Sequence, residues 1–429
     1  MRSSSTSRSK APRVLCISPF FAPLANAEAF SGGKVGLALL EAGLDFSAVS
    51  IDYTGHTKFS TDRSSTWSAL ACSTTAVPPT GHITKLLSVP LGFRYGVLEW
   101  SRWVHAVVRI ALARHRERPF DVIYSRGLPN VAHVAAYWTR HASGLPWIAN
   151  FNDPWDLKGA HLLPQHRKRR KRALKPRVSE FWMHRVMGSA DVLTFPCARL
   201  RDYYLRLAPA RGQCSVIPHI GLRADRAETV QAFSLVHAGN LGAGETTRRD
   251  STVSLLRALR GFLNHHANAR SACRLVLVGP EDRPTLELAG ELGLADIVSC
   301  TGLVSYEESL RRMAQAAVCL LVEGSMPEGI YLPSKFPDYV RNGKPVIALS
   351  PAAGTISDLL PTRGVNVVPV DNPDLIQRQI TTHYELYAAG ELESCRPTAE
   401  LQNRYAPATI GAALLEVCAE VRSDHGRFN

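Results

Sequence analysis

The stretch FSLVHAGNLG, residues 233–242, decides how this 429-residue chain is divided. It is an apolar run of strand length that ends in a glycine-rich turn, and it follows a polar connection at 221–232. On both sides of it, apolar runs alternate with segments of helical period, which is typical of parallel sheets built from strand–helix units. The alternation stops and restarts here, so we predict two doubly wound α/β domains that face each other across a cleft.

The remaining predicted elements follow from the same alternation. First-domain strands are expected at 13–18, 46–51, 121–125, 147–151, 191–195 and 215–218, with helices at 32–43 and 129–142. Second-domain strands are expected at 233–242, 273–280, 297–304, 317–323, 344–350 and 365–370. The predicted divisions are a disordered tail at 1–12, a first domain at 13–220, a linker at 221–232, a second domain at 233–396 and a terminal helix at 397–429. That helix can cross back to the first domain.

Composition restricts the class of protein and its partners. The 50 Lys and Arg residues exceed the 37 Asp and Glu residues, and this net charge of +13 favours an anionic partner. The nine cysteines lack metal-ligand spacing, which predicts a reducing compartment and no metal site. The sequence shows neither the apolar core of a signal peptide nor a run of about 18 apolar residues, so we expect a cytoplasmic protein.

Two polar stretches, 52–92 and 155–178, interrupt the alternation and are predicted surface features. The second contains the basic run 166–177, HRKRRKRALKPR. It lacks the interleaved aromatic side chains that stack on bases, so nucleic acid is not an expected partner. Two interpretations stay open, a solvated helix face and a peripheral contact with an anionic membrane.

In open α/β sheets, ligands bind outside the carboxyl ends of the strands, so the loops there are the candidate sites. Gly32 and Gly33 are predicted at a helix start, where they would let the backbone approach an anion; the alternative is an ordinary turn. Asp153 follows the strand at 147–151 and could orient a substrate hydroxyl or accept its proton. On the residues alone, a helix cap explains Asp153 better.

Two second-domain loops carry further candidates. Gly239 and Asn240 form a turn that permits close backbone approach, and Arg248 and Arg249 could supply forked donors to a phosphate. The alternative is a pair of solvent-facing arginines.

The second loop, GIYLPSK, ends at 335. Pro333 and Ser334 lead into a predicted helix start, where Lys335 could help to hold a diphosphate. Asp338 could accept hydrogen bonds from ribose hydroxyls. The alternative is a capped helix with a surface Lys–Asp pair that contributes little.

The segment LPSKFPDYVRNGKPVIA, 332–348, is similar to the PSKxxEYxxxGKPVI signature of retaining glycosyltransferases of family-4 type. SADVLTFPCARLRDYY (189–204) and VIPHIG (216–221) also resemble segments of that family. The chain resembles the branch that builds cell-surface polysaccharides. This resemblance implies the GT-B fold, with a Rossmann-like acceptor domain followed by a Rossmann-like nucleotide-sugar domain. It also implies that Lys335 reaches the phosphates and that Asp338 contacts the ribose.

The chain departs from the family's pattern at the paired acids. The first carboxylate would fall on Ile330, so Glu328 is our substitute for positioning the donor sugar, while Glu323 is also near but out of register. Asn240 fits the family's second-domain loop, but the expected lysine does not follow it. Arg248 or Arg249 would replace that lysine.

The resemblance implies hexosyl transfer, with retention, from a nucleotide-diphosphate sugar to a hydroxyl of a glycan or lipid-linked acceptor. UDP is the expected nucleotide, with GDP or dTDP as alternatives, and neither a metal nor another cofactor is expected. The expected catalytic residues are Asp153, Lys335 and Glu328. The rival functions are a nucleotide-sugar 2-epimerase and a catalytically weak binding protein of the same fold. The expected location is the cytoplasm, with peripheral contact at the inner membrane face.

Overall fold

A computed structural model of the chain describes residues 12–52, 60–71, 73–77, 100–155, 174–225, 232–239, 241–242, 248–360 and 362–427. Four predictions fall wholly or mostly outside these residues: the tail, the linker interior at 226–231, Asn240 and the part of the basic run before 174.

The first sheet has seven parallel strands in the order β3-β2-β1-β4-β5-β6-β7. Its strands are β1 Arg13–Ile17, β2 Asp45–Ile51, β3 Thr74–Val77, β4 Val122–Gly127, β5 Trp147–Phe151, β6 Val192–Phe195 and β7 Gln213–Val216. Its helices are α1 Ala27–Glu41, α2 Ser68–Ala71, α3 Ser101–Glu117, α4 Val131–Ser143, α5 Leu174–Met187 and α6 Ala198–Leu207. The central strands β1, β4 and β5 are mostly apolar and almost entirely buried, because helices cover both faces of such a sheet.

The second sheet has six parallel strands in the order β10-β9-β8-β11-β12-β13. They are β8 Phe233–Ala238, β9 Cys273–Val278, β10 Val298–Cys300, β11 Val318–Val322, β12 Val346–Leu349 and β13 Val365–Val368. The helices that follow β8 are α7 Arg249–His265, α8 Arg283–Glu291, α9 Tyr306–Gln315, α10 Phe336–Arg341, α11 Pro373–Ala388, α12 Ala399–Arg404 and α13 Pro407–Arg427. Two doubly wound domains are thus confirmed.

The described part of the stretch 52–92 is only partly the predicted surface feature. Within its described part, Trp67 and Leu70 are buried, and Thr74–Val77 adds the edge strand β3 to the first sheet. This strand was not predicted because it has only four residues and lacks the apolar pattern of the neighbouring strands.

The two domains are joined by shared packing as well as by the chain. One cluster of buried apolar side chains extends from the first sheet to Tyr306, Ile330 and Phe336 of the second domain. Helix α13 packs on α1, β4 and β5 of the first domain. Within the described residues, no helix is both long and apolar enough to cross a bilayer.

The direction of winding reverses once in each sheet, between β1 and β4 and between β8 and β11. A crevice opens at such a reversal, outside the carboxyl ends of the strands. These two positions are where the polar side chains described below collect.

Candidate functional site

The reversal in the second sheet is occupied by a glycine turn and a lysine. Gly239 follows β8 with φ of 103°, a backbone conformation that favours glycine. A Cβ atom at this position would lie 3.1 Å from the Lys335 ammonium, so the missing side chain also leaves room for that group. The hydroxyl of Tyr339 accepts a 2.8 Å hydrogen bond from the N–H of Ala238 and holds the end of the strand.

His237 fixes the direction of the Lys335 side chain. Its Nδ1 lies 3.0 Å from the Leu320 carbonyl, which can only accept a hydrogen bond, so Nδ1 carries the proton. Nε2 then offers a lone pair to the Lys335 ammonium at 3.3 Å. Burial, reinforced by the charge of Arg248, lowers the pKa of Lys335 to about 7. The negative charge of an anionic ligand would therefore favour the protonated, positively charged form of Lys335.

Glu323 is the carboxyl of this same region. It follows β11, is 7 % exposed, and accepts a hydrogen bond from the Ser350 hydroxyl. Burial raises its pKa to about 7, while Ser350 and the charge of Arg248 partly oppose that shift. Glu323 follows β11 and Gly239 follows β8, and these two strands are neighbours, so the carboxyl lies at the same edge of the sheet as the Gly239 turn and Lys335.

The other predicted donor-side residues are near this crevice but differ in exposure. Arg248 is half-buried at the start of α7, whereas Arg249 is exposed. Pro333 and Ser334 are half-buried, and the Pro333 carbonyl accepts the first hydrogen bond of α10. That helix has only six residues, so the predicted electrostatic contribution from its N-terminus is small.

At the reversal in the first sheet, a buried arginine anchors a carboxyl. Arg126, at the end of β4, is 1 % exposed, and its Nη2 lies 3.4 Å from Glu28 Oε1 and 3.0 Å from Ser31 Oγ. Asn152 donates to the same Glu28 oxygen and to the Gly127 carbonyl, each at 2.6 Å. Glu28 is therefore held through one oxygen by residues from β4 and the end of β5.

Asp153 lies beside this carboxyl. Burial raises the pKa of Glu28 to about 8, with Arg126 opposing the shift and Asp153 adding to it, and burial raises the pKa of Asp153 to about 6. These two carboxyls with displaced pKa values, one in the first turn of α1 and one after β5, are a candidate acid–base or hydroxyl-binding pair. Residues 156–173, which a test of the helix-cap interpretation of Asp153 would require, lie outside the described residues.

The prediction that Gly32 and Gly33 open a helix is wrong. Helix α1 begins earlier, because the side chain of Asn26 accepts a 2.8 Å hydrogen bond from the N–H of Ala29. Both glycines are buried within the helix, and a Cβ on Gly33 would come within 2.5 Å of the Ala22 side chain and 2.7 Å of Trp67. These glycines permit close packing and do not present N–H groups to an anion.

Asp338, predicted to contact the ribose of the nucleotide, instead binds side chains and backbone of this protein. Each of its carboxylate oxygens lies 2.8 Å from the ammonium of Lys34, on α1 of the first domain. Tyr306 adds 3.1 Å bonds, and the N–H of Leu222 donates at 2.9 Å. Lys34 and Asp338 are 4 % and 3 % exposed. The Lys34–Asp338 pair is buried between the domains. Because Asp338 is buried, the alternative of a surface pair between Lys335 and Asp338 is excluded.

Glu328 likewise has a partner in the first domain. Its carboxylate lies 2.6 Å from Arg199, which also pairs with Asp358, and the Glu328 side chain is 38 % exposed. Ile330 is 2 % exposed, and its carbonyl accepts a hydrogen bond from the Cys197 thiol. The segment that carries the family's first acid therefore serves as a domain contact in this chain.

Sequence reasoning missed Lys34 and Glu28 as polar partners and His237 as the group that directs Lys335. None of the three belongs to a motif quoted above for its chemistry. A retrospective signal exists for His237, since a histidine inside an apolar strand must find a hydrogen-bond partner. Lys34 and Asp338 are 304 positions apart, so no local pattern connects them.

Comparison with known proteins agrees with this architecture. Residues 39–219 match the family described as "Glycosyl transferase 4-like domain". Most of the first domain is thus similar to this glycosyl transferase 4-like domain, and the GT-B fold and the resemblance to GT-B glycosyltransferases are confirmed. A search of curated protein sequences finds no significant match.

Solved structures of the same fold cover almost the whole chain. Sucrose-phosphate synthase from Thermosynechococcus elongatus is 15 % identical with a TM-score of 0.69, over 96 % of this chain and 100 % of the other. Anabaena HepE in complex with UDP and glucose is 13 % identical, with a TM-score of 0.65, over 95 % and 99 %. UDP-GlcNAc 2-epimerase from Methanocaldococcus jannaschii is 9 % identical, with a TM-score of 0.57, over 95 % and 99 %. At these identities the likeness shows the fold.

Proposed function

We propose that this protein transfers a hexose from a nucleotide-diphosphate sugar to a hydroxyl acceptor, a glycan or a lipid-linked saccharide, with retention and without a metal. The observation that carries the proposal is the crevice formed by Gly239, Lys335 and Arg248 at the winding reversal of the second sheet. UDP is the preferred nucleotide because HepE, of the same fold, is described in complex with UDP and with UDP-glucose. GDP and dTDP are the alternatives.

The chemical task of such a site is to stabilise charge on the departing diphosphate while the sugar becomes electron-poor. Lys335 and Arg248 supply positive charge, and the Gly239 turn allows the phosphates to approach the backbone. In the first domain, Glu28 and Asp153 are suited to hydrogen-bond an acceptor hydroxyl across the cleft. In this proposal the leaving phosphate takes the acceptor proton, and Asp153 orients the hydroxyl.

The test is binding of UDP, GDP and dTDP by calorimetry, followed by transfer from the corresponding sugars. Lys335→Met should weaken binding of the preferred nucleotide at pH 7 by about tenfold or more, because a hydrogen bond to a charged group contributes about 1.5–3 kcal/mol. Arg260→Met is the matched control, since Arg260 is exposed on α7 and was assigned no role in binding. Failure of every nucleotide to bind the native protein would refute the proposal, and transfer that stops in EDTA would refute metal independence.

A 2-epimerase is the second candidate, because UDP-GlcNAc 2-epimerases have the same fold over almost the whole chain. An epimerase would convert UDP-GlcNAc without an acceptor. Incubation with UDP-GlcNAc alone, followed by NMR of the sugar, distinguishes the two activities. The third candidate, a weakly catalytic binding protein, is motivated by Ile330; it predicts nucleotide binding without turnover in either assay.

We also propose a cytoplasmic location with peripheral contact between α5 and an anionic membrane. The exposed face of α5 combines Arg177 and Arg185 with Phe181, which is 37 % exposed, and it continues the basic run 166–177. Cosedimentation with phosphatidylglycerol vesicles at low salt, but not with phosphatidylcholine vesicles, is the expected result. Equal binding to both would contradict this contact.

A further inference from the structure

The donor crevice contains one acidic group whose task differs from phosphate binding. Glu323 follows β11 and Gly239 follows β8, and these two strands flank the winding reversal. A carboxyl among groups that attract a diphosphate would repel that diphosphate if it were ionised. We therefore expect this carboxyl to contact the uncharged part of the ligand, the sugar.

The carboxyl is anchored and yet has hydrogen-bonding capacity left. Its Oε2 accepts from the Ser350 hydroxyl, and the Glu323 N–H donates to the Leu349 carbonyl at 2.9 Å. Within the described residues, Oε1 accepts no hydrogen bond. A carboxyl fixed through one oxygen can bind a sugar hydroxyl through the other with little loss of side-chain entropy.

The other acids of the region are committed elsewhere. Asp338 is bound by Lys34 and Tyr306, and Glu328 is paired with Arg199 on the half-exposed rim. Ile330 has no polar side chain. Among these positions, Glu323 is the one that directly follows β11, beside the strand that ends at the Gly239 turn.

We propose that Glu323 binds the hydroxyls of the donor sugar and so distinguishes a nucleotide sugar from the bare nucleotide. This inference rests on the proposed function, since it assumes that the diphosphate binds at Lys335. The sugar is attached directly to the diphosphate, so it must lie next to the phosphate-binding groups. Glu323 stands at that boundary.

The experiment compares UDP with UDP-glucose, UDP-galactose and UDP-N-acetylglucosamine by calorimetry on the full chain at pH 7. The native protein should bind the best of the three sugars more tightly than UDP. Glu323→Gln should reduce this gain by tenfold or to nothing while leaving UDP affinity within about threefold, because each well-placed hydrogen bond is worth roughly a factor of ten. The glutamine can still accept the bond from Ser350, and a thermal midpoint checks that the variant is folded.

Glu291→Gln, at the exposed end of α8, is the matched control and should retain the gain. Three results would overturn the inference: a native protein that binds UDP and all three sugars equally, a Glu323→Gln variant that keeps the gain, or one that loses UDP and sugar binding equally. Absence of UDP binding in the native protein is a different result, because it refutes the proposed donor site and with it this inference.

Discussion

At the scale of single residues, the main property of the candidate site is that its charges depend on burial. Lys335 and Glu323 both have pKa values of about 7, displaced in opposite directions from their ordinary values by the same loss of water. The lysine lies between His237 and the Gly239 turn. Among the described residues it has no carboxylate partner. Its charge is therefore available to a ligand and responsive to pH.

We predict that UDP-glucose affinity decreases as pH rises from 6 to 9. Below pH 7 Lys335 is protonated and Glu323 is neutral, the forms that tolerate a diphosphate. Above pH 7 binding must restore a proton to each group, so affinity falls by up to tenfold per pH unit for each. Calorimetry at four pH values measures this slope.

Lys335→Arg, which stays charged, should have a shallower slope that reflects Glu323 alone. UDP-glucose is the appropriate probe because its diphosphate does not itself titrate in this range. An affinity that is constant from pH 6 to 9 would contradict the assignment of these two groups to the donor site.

At the scale of elements, apolar periodicity predicted the strands well because each central strand is buried on both faces. Helix α1 shows where such reasoning fails. Its start is set by the adjacent N-cap residue Asn26. Its two buried glycines are explained by contacts outside the helix, since Gly32 faces Phe21 and Gly33 faces Ala22 and Trp67. Glycine pairs at turns and glycine pairs in crowded helices look alike in a sequence.

We predict that Gly33→Ala destabilises the protein even though alanine favours helices. The added Cβ would lie 2.5 Å from the Ala22 side chain, and such overpacking costs about 1–3 kcal/mol. Gly290→Ala in α8 is the control, since it meets nothing within 4 Å and should stabilise by about 0.5–1 kcal/mol. Urea unfolding measures both, and equal effects would disprove the packing role.

At the scale of the whole molecule, the structure joins the two domains through buried groups that no local pattern could reveal. The strand–helix alternation predicted two doubly wound domains, and the resemblance at 332–348 implied the GT-B fold and a role for the Lys335 loop, because both signals lie in residues close together in the chain. It could not predict that Asp338 meets Lys34, or that Glu28 meets Arg126, since these pairs depend on how the sheets are wound and docked. The candidate site was thus predicted in part.

We predict that Lys34→Met destabilises the protein by about 3–5 kcal/mol, because it leaves the Asp338 carboxylate buried without its cation. The double variant Lys34→Met/Asp338→Leu should recover most of this loss, since neither charge remains. Urea unfolding curves of the four proteins form a complete cycle. A double variant as unstable as the sum of the singles would show that the pair is not coupled.

Helix α13 has a consequence for how the protein is made. It packs on α1, β4 and β5, and Gly411 brings its backbone so close to α1 that a Cβ there would lie 2.8 Å from the Ala38 carbonyl. A ribosome releases residues 407–427 only after the entire second domain has been synthesised. The first domain is translated first, but its surface on α1, β4 and β5 stays uncovered until α13 has been synthesised. It is therefore the last of the two domains to be completed.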